Sequence, residues 1–168
     1  MNVILCGMMG SGKTTVGKAL AARLGREWLD TDAVITEDYG EISDIFANFG
    51  EEFFRFLETQ LAYELSQKDN LVISTGGGFF TREKPARFLK ENGKIIFLRA
   101  RVETLKKRLE NDESRPLLRG GEPLSQKLSR MIKARYYVYE SISDYAVDVD
   151  EKSVDELVNE IIEKLEKK

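Results

Sequence analysis

The 168 residues contain no histidine and one cysteine, Cys6. Two classes of chemistry fall away at once, because His-based nucleophilic triads need an imidazole and Cys/His zinc centres need several such ligands. Cys6 can form no internal disulfide. Inside the apolar run Val3-Ile4-Leu5-Cys6 it reads as a packing residue rather than a reactive thiol. Chemistry must therefore run on carboxylates, lysines, arginines, hydroxyls and backbone groups. Long apolar runs are also missing: Val3–Cys6 and Ile95–Leu98 fall far short of the roughly 18 residues of a bilayer span. A glycine-rich motif begins at Gly7, which leaves no room for a leader ahead of it, and a cytoplasmic protein is the expectation. The length suits a single domain over residues 1–168 with a real core.

An excess of basic charge is absent as well. Lys and Arg number 26 against 29 Asp and Glu, for a net charge of −3, and no aromatic-plus-basic stripe is present, so a nucleic-acid partner is not expected. The distribution is more telling than the sum. From Glu27 to Gln67 there are 11 acids and one base, Arg55, whereas from Arg99 to Arg135 there are 11 bases and 5 acids. The second stretch calls for an anion, and a small phosphorylated ligand is the expected one.

Short β-rich runs alternate with segments of helical period, the pattern of a parallel sheet covered on both faces. Strands are predicted near Asn2–Cys6, Glu27–Leu29, Asn70–Ser74, Lys94–Leu98 and Ala146–Val149. The fold class that follows is α/β: a three-layer α/β/α arrangement around a five-stranded parallel sheet. Lys13–Gly25 reads as a helix with a glycine C-cap, and Glu51–Gln67 as a helix with Phe54, Leu57, Leu61 and Leu65 on one face. Thr81 is the predicted cap of a helix that stops at Gly93. Ser153-Val-Asp-Glu156 spells a capping box, followed by a core stripe of Val154, Leu157, Val158, Ile161, Ile162 and Leu165.

The strongest motif is Gly7-Met-Met-Gly10-Ser11-Gly12-Lys13-Thr14, a full match to G-x-x-x-x-G-K-S/T with a strand before it and a helix after it. Its glycines let backbone N–H groups turn inward around a phosphate, and the helix start adds a positive dipole end. Gly10, Ser11, Gly12, Lys13, Thr14 and Thr15 are thus the predicted nucleotide-binding residues, with Lys13 reaching the β and γ phosphates and the Thr14 hydroxyl on Mg²⁺. The predicted strands at Val72–Thr75 and Ile96–Arg99 supply no metal-holding aspartate. Asp30-Thr31-Asp32 follows another strand at the ligand-binding edge of such sheets. One of these carboxylates suits Mg²⁺ through water and the other a substrate hydroxyl, while helix capping is the alternative use of either.

Arg55 sits within Phe53-Phe54-Arg55-Phe56-Leu57. Two readings stand for it: a pair with Glu58 one turn away, or a two-pronged grip on a substrate carboxylate. Gly76-Gly77-Gly78 either admits a ligand close to the backbone or makes a plain tight turn. Arg115-Pro-Leu-Leu-Arg119-Gly-Gly-Glu-Pro123 reads as a loop able to close over a reacting phosphate, with Arg115 as its arm.

Together these residues resemble the shikimate kinase family, P-loop small-molecule kinases with a mobile lid. The resemblance rests on Gly7–Thr15, Leu29–Asp32, Asp44-Ile45-Phe46, Gly50-Glu51, Phe54-Arg55, Glu58, Ser74–Gly78, Arg115–Leu118, Arg135 and Tyr139-Glu140, and so covers nearly the whole chain. It implies an ATP- and Mg²⁺-dependent kinase that phosphorylates the 3-hydroxyl of shikimate. Asp32, Arg55, Gly77 and Arg135 would contact shikimate, both arginines on its carboxylate and Asp32 on its hydroxyls. The catalytic set would be Lys13, Asp32 and Arg115, with Asp30 and Thr14 at the metal and Arg108 near the adenine. A lid over about 111–123, acceptor-binding helices over about 31–67 and a monomer acting on small molecules complete the expectation. Two places depart from the family: Tyr137 stands where a proline is usual, and Asp150–Ser153 matches only loosely. The alternatives are a kinase of another small acid such as gluconate, a nucleoside monophosphate kinase, or a nucleotide-sensing domain without turnover.

Overall fold

Five strands, β1 (Asn2–Cys6), β2 (Glu27–Asp30), β3 (Leu71–Ser74), β4 (Gly93–Arg99) and β5 (Tyr145–Asp148), pair in the order β2-β3-β1-β4-β5, every neighbouring pair parallel. They belong to a computed structural model that describes residues 1–110, 112 and 120–167. Successive side chains of a strand point to opposite faces, yet Val3, Ile4, Leu5 and Cys6 are all fully buried. Both faces of the sheet are therefore covered, which accounts for the unbroken apolar reading of β1 and β3. Burial of each such aliphatic side chain contributes roughly 1.5–3 kcal/mol. The same burial pushes the Cys6 thiol up to about 12, so it packs and does not react.

The covering helices are α1 (Lys13–Leu24), α2 (Thr31–Tyr39), α3 (Ile42–Phe49), α4 (Glu51–Ser66), α5 (Glu83–Glu91), α6 (Val102–Leu109), α7 (Leu124–Ile142) and α8 (Val154–Glu166). The stretch over about 31–67, expected to bind the acceptor, holds three consecutive helices, α2, α3 and α4. α1 packs on β3 and α8, α5 on β4 and α4, and α7 on β4 and α6. Gly25 ends α1 in the left-handed conformation, and Ser153 and Glu156 cap α8 reciprocally, both as predicted. Leu157, Val158 and Ile161 of the α8 stripe are buried, with Val154, Ile162 and Leu165 packed at their side. None of the described helices is long and apolar enough to cross a membrane.

Two local expectations fail at α5. Its N-cap is Arg82, without a side-chain cap. The Thr81 hydroxyl instead donates to Gly78 O at 2.8 Å, so it closes the glycine loop rather than the helix. Gly93 opens β4 instead of ending a helix. A β-carbon there would press on Leu89 O at 2.8 Å and Asn2 O at 3.2 Å.

Because the sheet order is β2-β3-β1-β4-β5, the crossover from β1 runs to one side, to β2, and the crossover from β3 runs past β1 to the other, to β4. The crevice beyond the strand ends at this switch point is where such sheets bind ligands. The loops after β1, β2 and β3 converge there. A three-residue link braces the convergence: Trp28 Nε1 donates to Ser74 Oγ at 3.0 Å, and Ser74 Oγ donates to the Lys13 carbonyl at 2.8 Å. Gly17 of α1 lies against this link, where a β-carbon would be 2.5 Å from Ser74 Oγ and 2.6 Å from Trp28 Nε1. Gly17→Ala gains about 1 kcal/mol of helix propensity, but overpacking against a rigid indole costs roughly 1–3 kcal/mol. We expect a net loss of stability, measured as a lower urea midpoint with an unchanged slope; a higher midpoint would show that the link is slack.

Candidate active site

The turn after β1 is shaped by three glycines with positive φ, Gly7 (149°), Gly10 (79°) and Gly12 (97°). A side chain at Gly7 would meet Leu98 O at 2.6 Å. Gly12 precedes α1 and offers no capping side chain, so the first amides of the helix stay available to an anion. Two further observations point the same way. Lys13 Nζ is drawn back onto the loop, donating to the carbonyls of Gly7 at 2.8 Å and Met8 at 2.9 Å. Ser11 Oγ is buried with no hydrogen-bond partner, and a buried hydroxyl in that condition is at a premium for an incoming acceptor such as a phosphate oxygen. Arg108 of α6 reaches the same loop, donating to Gly10 O at 3.0 Å.

Asp30 and Asp32 divide their work. Asp30 Oδ1 accepts the amides of Asp32 at 2.9 Å and Ala33 at 3.1 Å and so caps α2, while its Oδ2 carries no hydrogen bond among the described residues. Capping and metal binding are therefore compatible for this residue. Thr31 Oγ1 accepts the Gly76 amide at 3.0 Å, which fastens the start of α2 to the loop after β3.

That loop, Gly76-Gly77-Gly78, is the meeting point of the site. A β-carbon at Gly76 would overlap Asp32 Oδ1, one at Gly77 would lie 3.0 Å from Arg135 Nη1, and one at Gly78 would lie 2.6 Å from both Nη1 and Nη2 of Arg55. The three glycines are thus needed for close approach, and a plain turn does not explain them. Arg55 makes the pair with Glu58 and keeps a donor that the pair does not use. Its Nη1 donates to Glu58 Oε2 at 2.7 Å and to Gly78 O at 2.9 Å, while its buried Nε has no partner. The pair with Glu58 orients the guanidinium and leaves a donor to spare. α7 runs unbroken through Tyr137, which is 77% exposed, so the absence of a proline there does not divert Arg135 from Gly77.

One cleft of about 570 Å³ takes in Gly10, Ser11, Gly12, Lys13, Thr14, Thr15, Asp30, Asp32, Arg55, Gly77, Arg108 and Arg135 together. Arg115 and residues 113–119 of the expected lid lie outside the described residues. The cleft also gains an apolar wall of Ile42, Phe46 and Phe54. Lys152, from the Asp150–Ser153 segment that matched the family only loosely, lines it too, with Val154 and Leu157 of α8.

A profile of the shikimate kinase family matches residues 9–166. The shikimate kinase of Pelotomaculum thermopropionicum is 43% identical over 96% of this chain and 93% of its own. The chain belongs to the shikimate kinase family. Among solved structures, shikimate kinase from Acinetobacter baumannii in complex with shikimate is similar with a TM-score of 0.89 and 38% identity, over 98% of this chain and 92% of that one. A gluconokinase from Sinorhizobium meliloti shares the fold alone, at a TM-score of 0.58 and 18% identity.

Sequence reasoning gave Glu58 no place in the site except as the rival partner of Arg55, since its burial depends on how α4 packs. It is 1% exposed, and burial pushes its carboxyl up to about 7 against the downward pull of Arg55. The folded protein then holds a proton that the unfolded chain releases near 4.5. Stability from this group is fully present below about pH 4.5 and is lost as the pH rises toward 7. We expect Glu58→Gln to remove that loss, worth at most about 3 kcal/mol. Urea unfolding at pH 5 and pH 7.5 checks it: the variant should gain on the wild type between the two, and a constant difference would contradict the assignment.

Proposed function

We propose that the protein transfers the γ-phosphoryl group of ATP to the 3-hydroxyl of shikimate, giving shikimate 3-phosphate and ADP on the route to aromatic amino acids. The observation that carries this reading is one cleft with a phosphate loop at one end and, at the other, a half-buried arginine whose buried Nε lacks a partner, beside a carboxylate and a second arginine. Arg55 and Arg135 hold the acceptor carboxylate, and Asp32 accepts hydrogen bonds from its ring hydroxyls. Gly77 supplies backbone contact. At the other end the ATP phosphates draw Lys13 off the carbonyls of Gly7 and Met8, and Ser11, Gly10, Gly12, Thr14 and Thr15 line their seat. Arg108 lies beside the adenine, and the family resemblance gives Arg115, outside the described residues, a role at the γ-phosphate.

Among the described residues no cluster of three or more His, Cys, Asp or Glu could hold a metal. That suits Mg²⁺, which keeps several waters and takes one or two protein oxygens with the substrate phosphates. Thr14 and Asp30 Oδ2 would hold it, and when bound it neutralises charge on the β and γ oxygens. In the transfer, the 3-hydroxyl oxygen forms a bond to the γ-phosphorus as the bond to the β–γ bridging oxygen breaks and ADP leaves. Asp32 orients the hydroxyl and eases its proton away. Most of the acceleration comes from in-line placement and from cations around the phosphoryl group. We place the protein in the cytoplasm as a monomer acting on small molecules, with neither nucleic acid nor membrane as partner. The net charge of −3 weighs against a nucleic-acid partner, and none of the described helices is long and apolar enough to cross a membrane.

The acceptor reading is tested at Arg55. Arg55→Lys keeps the charge and removes the planar fork. Loss of one charge-assisted bond of about 1.5–3 kcal/mol should raise the shikimate KM roughly 10- to 150-fold with ATP affinity unchanged. A shikimate analogue without the carboxylate should lose most of its disadvantage in the variant. If both acceptors weaken by the same factor, Arg55 is a structural partner of Glu58 only.

A further inference from the structure

Tyr139 of α7 belongs by its ring to the core: it is 2% exposed and packs against Phe97 of β4, ring centroids 5.2 Å apart. Its hydroxyl is engaged elsewhere. It donates to the carbonyl of Gly77 at 2.5 Å, and the guanidinium of Arg135, one turn earlier on the same helix, approaches the same glycine, its Nη1 3.0 Å from where a β-carbon on Gly77 would stand. Two side chains of α7, the Tyr139 hydroxyl and the Arg135 guanidinium, thus meet the glycine loop at one residue, Gly77. Burial raises the phenol above its ordinary range, which keeps the proton in place for donation.

The bond fixes more than one atom. Because the peptide unit is planar, holding the Gly77 carbonyl also sets the direction of the Gly78 N–H on the opposite edge. The next carbonyl, that of Gly78, is held from the other side by Arg55 Nη1 at 2.9 Å and by the Thr81 hydroxyl at 2.8 Å. The loop is therefore gripped between α4 and α7, and glycines, which are otherwise the least constrained residues, need such a grip to stay in one conformation.

We infer that Tyr139 is a positioning residue for the acceptor, its hydroxyl setting Gly77 and Arg135 in register with each other. This rests on the reading that those two residues contact shikimate. Removing the hydroxyl takes from a part-buried carbonyl the bond that holds it and lets Gly77 drift from Arg135.

The test is Tyr139→Phe, which keeps the ring and therefore the packing on Phe97. The expected result is a shikimate KM raised roughly tenfold, with the ATP KM unchanged and kcat reduced by less than the KM rises. The penalty should be smaller for a shikimate analogue without the carboxylate, because part of it passes through Arg135. A melting temperature close to the wild type confirms that the core is kept. Equal weakening toward ATP and shikimate, or a lowered melting temperature with both KM values unchanged, would make Tyr139 structural and overturn the inference. Wild-type turnover in the same experiment separates the two ideas. A wild type that does not phosphorylate shikimate overturns the functional reading and this inference with it, whereas normal wild-type turnover with an unchanged shikimate KM in the variant overturns the inference alone.

Discussion

Three side chains close on the backbone of Gly76-Gly77-Gly78 from three separate helices, and the rest of the site depends on that approach. Asp32 comes from α2, Arg55 from α4 and Arg135 from α7, each at a distance that a β-carbon on its glycine would forbid or crowd. The sheet makes the approach possible by setting β3 beside β1, so that the glycine loop and the phosphate loop emerge from adjacent strands. Donor and acceptor ends of the cleft are then neighbours by topology. The helices need only deliver their side chains.

Electrostatics explain why the delivered groups stay poised. Lys13 rests on loop carbonyls, which hold an ammonium less tightly than phosphate oxygens do. Arg55 is anchored by Glu58 yet retains an unpartnered Nε, and Ser11 keeps an unpartnered hydroxyl at the opposite end. Unsatisfied buried groups reduce stability in the empty protein, and a ligand that satisfies them recovers that free energy as affinity. The acid-rich stretch from Glu27 to Gln67 disfavours a second phosphorylated ligand at the acceptor end, which weighs against a nucleoside monophosphate as acceptor.

Much of this was readable from the sequence wherever the signal is local. The phosphate loop carries its own geometry in its glycines, the Ser153–Glu156 capping box closes as spelled, and the apolar runs mark strands covered on both faces. Boundaries moved where one residue serves two elements: Asp30 ends β2 and caps α2, and Gly93 begins β4 instead of ending a helix. Thr81 misled because a threonine before a helix looks like a cap, whereas the glycine loop competes for the same hydroxyl. Substrate grip and salt bridge at Arg55 are not exclusive, because a guanidinium has five donors and the pair with Glu58 leaves the buried Nε without a partner. Burial of Glu58 and the Tyr139–Gly77 bond were not readable at all, because each depends on elements far apart in sequence meeting in space.

The central claim is that this cleft phosphorylates a small hydroxylated carboxylic acid of the size and shape of shikimate. Coupled ADP release from MgATP, measured with shikimate, quinate, gluconate and AMP as acceptors, tests it most directly. The account predicts turnover with shikimate far above that with any of the others. Comparable or faster turnover with gluconate or AMP, or none with shikimate, would contradict it.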